Sequence, residues 1–145
     1  LCGVDIPSNV SIKAHSDGDI VYHAIADAIL GAIGAGDIGE IFPDTDMNNK
    51  NLDSRIIVET AVSKALSNGY ILNNLDVTLL LESPKISAYK EQMSENLINM
   101  FNKLCPNNLI NHSMINIKAS TSESLGFIGS GQGVTCYCIT SLRIL

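Results

Sequence analysis

No apolar run in this chain of 145 residues reaches the roughly 18 residues that a bilayer crossing needs, so a membrane-spanning helix is excluded. Basic residues are scarce: 9 Lys and Arg stand against 15 Asp and Glu, a formal net charge of −6. That balance argues against nucleic acid or an anionic membrane surface as a partner, since both need dense Lys and Arg. An anionic ligand would then have to be held by local donors or by metal. Trp is absent, and none of the cysteines Cys2, Cys105, Cys136 and Cys138 forms a C-x-x-C pair. They read as small buried apolar residues in a reducing compartment rather than as bridges or a metal site. Glycines Gly126, Gly129, Gly131 and Gly133 match neither G-x-G-x-x-G behind a strand nor a phosphate-binding P-loop, which sets dinucleotide and P-loop chemistry aside. There is no repeat and no low-complexity block, and no leader peptide is expected directly in front of the fold. Leu1-Cys2-Gly3-Val4 already reads as strand, so the chain is expected to begin inside a longer protein.

What is present suits one globular domain. Alternation over residues 2–15 around Pro7 predicts a β-hairpin that delivers His15 to the next element. Asp17 or Asp19 can cap a helix over about 19–34, with Val21, Ile25, Ala28, Ile29 and Ala32 at helical spacing. Residues 37–52 read as loop. Asp53 caps a second helix to about Ser67 that buries Ile57, Ala61, Val62 and Ala65. Near-continuous apolar character over 70–82 predicts a strand covered on both faces. A third helix over about 86–104 carries Tyr89, Met93, Leu97, Met100 and Leu104. Strands at 114–120 and 134–144 flank a Ser- and Gly-rich loop. The order indicates an α+β fold: a single-domain, two-layer α/β sandwich with helices on one face of a mixed sheet.

The chemistry-bearing residues cluster. Ala14-His15-Ser16-Asp17-Gly18-Asp19 precedes a helix that carries His23. Clustered imidazoles and carboxylates at a helix start suit a divalent metal, a phosphorylated ligand, or both. Asp19 and Asp27 lie one turn on either side of His23, where either carboxylate can take its second ring proton. Asp37-Ile38-Gly39 and Phe42-Pro43-Asp44-Thr45-Asp46 form an acidic stretch able to hydrogen-bond a polyol while Phe42 covers an apolar face. Ser83-Pro84-Lys85 can offer backbone amides and one cation to a nucleotide. Ser120-Thr121-Ser122-Glu123 has capping-box spacing, and its helix start and carboxylate could hold a diphosphate and magnesium. Each piece has an ordinary structural reading as a cap, a turn or a solvated face.

In this order and at these spacings, A-H-S-D-G-D with a helical His, D-I-G-E-I-F-P-D-T-D, D-S-R, S-P-K, S-T-S-E and L-G-F-I-G strongly resemble the 2-C-methyl-D-erythritol 2,4-cyclodiphosphate synthases of the non-mevalonate isoprenoid pathway. The resemblance implies an enzyme, a phosphorus-oxygen lyase, that cyclises 4-diphosphocytidyl-2-C-methyl-D-erythritol 2-phosphate and releases CMP. It implies a homotrimer with active sites between subunits, using Zn2+ and a Mg2+ or Mn2+ ion. By position, His23 matches a zinc ligand and Glu123 the magnesium position. His15 and Thr121 match the pair that stabilises the transition state, with Ser16 as a neighbouring phosphate contact. Asp37, Ile38 and Gly39 match the ribose stretch. Phe42, Pro43, Asp44, Thr45 and Asp46 match the methylerythritol loop. Leu81, Glu82, Ser83, Pro84, Lys85, Ile86 and Ser87 match the cytidine segment, and Ser120, Thr121, Ser122, Glu123 and Phe127 the diphosphate side. Two departures stand out. The family's D-x-H metal motif is absent from these residues and is expected upstream of Leu1. Ser130 and Gln132 replace an Arg and a Glu, and with that Arg goes the anion site implied for the trimer's central cavity. Such enzymes work in plastids or in bacterial cytoplasm, and the Asn- and Ile-rich composition points to a plastid-type organelle. Fusion to the cytidylyltransferase of the preceding step is left open. Rival readings are a metal-dependent phosphohydrolase and a non-catalytic trimeric nucleotide-binding module.

Overall fold

Carboxylates set the helix starts. In the computed structural model, which describes residues 1–145, Asp19 caps α1 (Ile20–Ala32) by accepting the backbone N–H groups of Val21 and Tyr22, each at 3.2 Å. Its other oxygen accepts the Gly3 N–H at 2.9 Å, so one buried carboxylate fastens the first residues of the chain to the helix. Val21, Tyr22, Ile25, Ala26, Ile29 and Leu30 form the buried face, whereas Ala32 stays exposed and Ala28 is half-buried. The stripe is therefore wider than Ile and Val spacing alone suggests, because Tyr22, Ala26 and Leu30 share it. A short helix α2 (Ile38–Ile41) and a 3-10 turn at Met47–Asn49 lie within the stretch expected to be loop. Asp53 caps α3 (Ser54–Ser67), whose Ile57, Val58, Ala61, Val62 and Ala65 are buried.

β1 (Tyr70–Leu80) is the central strand of a three-stranded sheet. After α4 (Lys90–Leu104) the chain returns as β2 (Ile115–Ser120), parallel to β1, with Leu75 opposite Ile115 and Leu80 opposite Ser120. After α5 (Gly126–Gly129), β3 (Thr135–Ile144) pairs antiparallel with β1, Tyr70 opposite Ile144. Leu75, Val77 and Leu79, all at 0% exposure, face the helices. α1 lies against α3 and β3, and α4 against β2. The result is the expected two-layer α+β sandwich with a mixed sheet.

Two expectations are corrected. Residues 2–15 form no hairpin and no strand. Cys2 and Val4 reach the core, but Val10 and Ile12 are 63% and 41% exposed, so the alternation beyond Pro7 has no second surface to pack on. Nor is β1 covered on both faces by this chain. Asp76, Thr78 and Leu80 are half-buried, and Tyr137 and Ile139 beside them in β3 are 60% and 73% exposed. All the long helices pack on the opposite side, because Leu75, Val77 and Leu79 present the continuous apolar face. On the bare side Asp76 is held by Lys118 at 2.7 Å and Asn116 at 2.8 Å. On α4, Phe101 is buried along with Met93, Leu97 and Met100, while Tyr89 and Leu104 lie half-buried at its ends.

Candidate active site

α3 turns through Asn68 and Gly69 straight into β1, so the start of α3 and the end of β1 lie at one end of the sheet. β2 also ends there, since it is parallel to β1, and β3 begins there. The ends of parallel strands are where ligand clefts form in open sheets. Two loops meet this end: residues 14–19 before α1, and residues 121–125 after β2.

The first loop is fixed to its neighbours by its backbone. Asn51 N–H donates to the His15 carbonyl at 3.0 Å and Asp17 N–H to that of Leu52 at 3.3 Å, leaving the His15 side chain exposed. His23 does not use Asp19 or Asp27, as its helical spacing suggests. Asp19 is spent on the cap, and Asp27 accepts the Ile38 N–H at 3.0 Å. Instead His23 Nε2 lies 3.0 Å from Ser54 Oγ and 3.2 Å from Ser16 Oγ. Ser54, at 0% exposure, donates its hydroxyl to Asp17 Oδ1 at 2.5 Å and its N–H to Asp17 Oδ2 at 3.0 Å. Burial pushes the Asp17 carboxyl up, but the Ser54 donors and the Asp19 N–H outweigh it and hold the carboxyl below the usual range. Sequence reasoning missed Ser54, which sits in D-S-R beside the cap residue Asp53.

The second loop is anchored by Glu82, just past β1. Its Oε1 accepts the Ser122 N–H at 2.9 Å, the Ser122 hydroxyl at 3.1 Å and the Ser124 N–H at 3.3 Å. The expected capping box does not form. Ser120 ends β2, Glu123 and Ser124 have positive φ, and α5 starts only at Gly126. Glu123 accepts the Thr121 hydroxyl at 3.0 Å and is exposed, as is Thr121. Gly129 packs against the Ser124 backbone closer than any side chain would allow, which accounts for the second glycine of L-G-F-I-G. The Ser122 N–H first, then its hydroxyl and the Ser124 N–H, hold the Glu82 carboxyl below its ordinary range. The anchor is therefore intact above the free-chain value of about 4.3 and is lost as pH falls through the lower folded value. In an acid titration followed by NMR, the Ser122 and Ser124 amide resonances are expected to move together with a midpoint below that of free glutamate. A midpoint at or above it contradicts the anchor.

The remaining predicted residues are held by contacts of their own. Asp37 caps α2 through the Glu40 N–H at 3.0 Å. Phe42 is half-buried against the core rather than free to cover a ligand, and Pro43, Asp44, Thr45 and Asp46 are exposed. Asn49 Nδ2 donates to the Pro43 carbonyl at 2.8 Å and Asn48 to Asp46 at 2.9 Å, which stiffens that loop. The Ser83-Pro84 bond is cis, Leu81 and Ile86 are buried, and Ser83, Lys85 and Ser87 are exposed. Phe127 is 57% exposed. No hydrogen bond joins the His15–His23 group to the Thr121–Glu123 group, and no three His, Cys, Asp or Glu side chains gather as a metal site. His23 offers one imidazole among hydroxyls and Glu123 one exposed carboxylate, so these residues alone do not complete a zinc shell. A cleft of about 620 Å³ lined by Asp17, Asp53, Arg55, Asn96 and Lys103 among others contains none of the predicted site residues. His15, Lys85, Thr121, Glu123 and Phe127 are exposed on the surface of the chain.

The sequence profile of the YgbB family matches residues 1–143. The chain is 46% identical over 143 residues to the "Bifunctional enzyme IspD/IspF" of Campylobacter curvus, covering 99% of this chain and 37% of that protein. It is 41% identical to the "2-C-methyl-D-erythritol 2,4-cyclodiphosphate synthase" of Glaesserella parasuis, over 98% of this chain and 81% of that one. Among solved structures, the bifunctional IspDF of Campylobacter jejuni superposes with TM-score 0.90 at 39% identity, covering 99% of this chain and 37% of that one. A Plasmodium falciparum IspF–CDP complex superposes with TM-score 0.76 at 34% identity, covering 91% and 74%. The chain thus spans little more than a third of the bifunctional relatives, matching their cyclodiphosphate synthase namesakes over nearly its whole length. With one profile covering all but its last two residues, the chain belongs to the YgbB family.

Proposed function

We propose that this chain is a 2-C-methyl-D-erythritol 2,4-cyclodiphosphate synthase, a phosphorus-oxygen lyase. The 2-phosphate of 4-diphosphocytidyl-2-C-methyl-D-erythritol 2-phosphate attacks the β-phosphorus. A new P–O bond forms, the bond from the β-phosphorus to the bridging oxygen breaks, and CMP leaves with that electron pair. The observation that carries this reading is that the His15–His23 loop, tied to the start of α3, and the Glu82-anchored Thr121–Glu123 loop both lie toward the end of the sheet where β1 and β2 finish. The attacking oxygen is already anionic, so no general base is needed. The work of the protein is in-line positioning and stabilisation of charge. His15, and Thr121 once its hydroxyl turns from Glu123, donate to the oxygens on which charge accumulates, with Ser16 beside them. The backbone at Asp37–Gly39 and the Leu81–Ser87 segment hold the nucleoside, and the stiff Phe42–Asp46 loop holds the methylerythritol hydroxyls. A cytidine nucleotide is supported as ligand by the CDP named in the relatives' complexes.

The same proposal assigns a homotrimer whose active sites lie between subunits. Support comes from the exposure of His15, Lys85, Thr121 and Phe127 in one chain and from the bare sheet face carrying Tyr137 and Ile139. It also assigns Zn2+ to His23, completed by donors from beyond these residues, and Mg2+ or Mn2+ to Glu123. Bound there, such cations supply positive charge that the acidic chain lacks. No helix is long and apolar enough to cross a membrane. The bacterial relatives favour a bacterial cytoplasmic setting and give the plastid-type expectation no support.

Incubating the full-length protein with the cytidylyl substrate is expected to release CMP and a cyclic diphosphate. Release of inorganic phosphate without a cyclic product would replace this reading with a phosphohydrolase. Nucleotide binding without turnover would replace it with a binding module.

A further inference from the structure

The hydrogen bonds around His23 constrain which ring nitrogen carries its proton. The one proton of the Ser54 hydroxyl is committed to Asp17 Oδ1 at 2.5 Å. Toward His23 Nε2, 3.0 Å away, Ser54 Oγ can therefore only accept. An unprotonated Nε2 would set two lone pairs against each other at that distance. Ser16 Oγ, 3.2 Å from the same nitrogen, serves as a second acceptor for the Nε2 proton while itself accepting the Gly18 N–H at 3.3 Å.

We propose that Ser54 and Asp17 are positioning residues that hold neutral His23 as the Nε2–H tautomer, leaving the Nδ1 lone pair as the atom the ring offers to a cation. Ser54 suits this role because it is fully buried at the first turn of α3, where its backbone N–H and its hydroxyl grip the two oxygens of one carboxylate. The pair also ties α3 to the loop before α1, so ring orientation and loop position are set together. A ligating imidazole generally donates its other N–H to an oriented acceptor, and loss of such an acceptor typically weakens metal binding about 10–100-fold. The metal half of the inference rests on the zinc assignment proposed above. The tautomer half does not.

Nitrogen-15 NMR of the ring in the metal-free full-length protein tests it. Wild-type His23 is expected to show the Nε2–H tautomer, Ser54→Ala a mixture of tautomers, and Ser54→Thr, which keeps the hydroxyl, the wild-type pattern. A wild-type ring protonated on Nδ1 overturns the proposal whether or not any variant folds, as does an unchanged tautomer in folded Ser54→Ala. Zinc titration of the same samples is expected to show a Kd about 10–100-fold weaker in Ser54→Ala than in wild type. Wild-type protein that takes up no zinc would refute the zinc assignment and leave the tautomer result standing.

Discussion

Replacing Phe101 with alanine is expected to lower stability by about 3–5 kcal/mol, the usual cost of emptying a buried aromatic site. Phe101 is 1% exposed on α4 and lines one small apolar pocket together with Ile29 of α1, Val62 of α3, Ile71 of β1, Ile110 and Leu142 of β3. The space left among these side chains is about 10 Å³ and wholly apolar, too little to admit water usefully, so the pocket is dry. Five segments converge on one ring, and none can follow a shrinking side chain without leaving its own partners. The adjacent Asn102 cannot compensate. Its side chain already bonds both backbone groups of Ile110, at 3.1 and 2.7 Å, to hold the turn after α4. Against a typical total of about 5–15 kcal/mol the loss is large. It corresponds to a Tm fall on the order of 10–20 °C for a chain of this size. Leu125→Ala is the control: Leu125 is 73% exposed, and its truncation should stay within about 0.5 kcal/mol. Both are compared by calorimetry at one protein concentration, because assembly would add a concentration-dependent contribution. Equal Tm values for the two variants would show that the convergence on Phe101 is not what holds the helices to the sheet.

The features legible in the sequence are those set by near neighbours. Asp19 and Asp53 announce helix starts because a capping carboxylate bonds N–H groups two or three residues away. The α3 stripe follows from its period, and the start of β3 from the glycines before it, in the same way. Features set by distant residues were not legible. Residues 2–15 alternate like a strand, yet strand identity depends on a pairing partner that local pattern does not supply. The bare face of β1 carries Asp76 and Thr78 beside Leu80, but the run Leu79-Leu80-Leu81 masks that alternation, and the placement of α1, α3 and α4 makes the two sides plain. His23 seemed to belong with Asp19 and Asp27, four residues away on either side. Its partner Ser54 lies 31 residues away, and Asp17, which completes the set, lies 37 from Ser54. Glu82 read as part of a nucleotide segment, and its grip on Ser122 spans 40 residues. At both places the motif identified the right neighbourhood, while the bonding was decided by the packing of α3 and β1.

Replacing His15 with alanine is expected to reduce kcat for cyclisation by about 10²–10³ with little change in KM, the effect of losing one preorganised donor to developing negative charge. The reason to expect a catalytic rather than a structural loss lies in how His15 is held. Its carbonyl is bound by the Asn51 N–H, and the loop beside it by the Asp17–Leu52 bond, so its position is fixed by backbone. Its imidazole is exposed and bonds to nothing in the chain. Alanine keeps every backbone bond and removes only the ring, so Tm should stay within the scatter of surface substitutions, about 0.5 kcal/mol. Thr121 would be a poorer probe, because its hydroxyl also donates to Glu123 and its loss would disturb the loop together with the chemistry. A donor used equally in ground and transition states would instead raise KM and spare kcat. Steady-state measurement of CMP release separates the cases. An unchanged kcat in His15→Ala would remove this residue from the reacting centre and leave charge stabilisation to Thr121 and to bound cations.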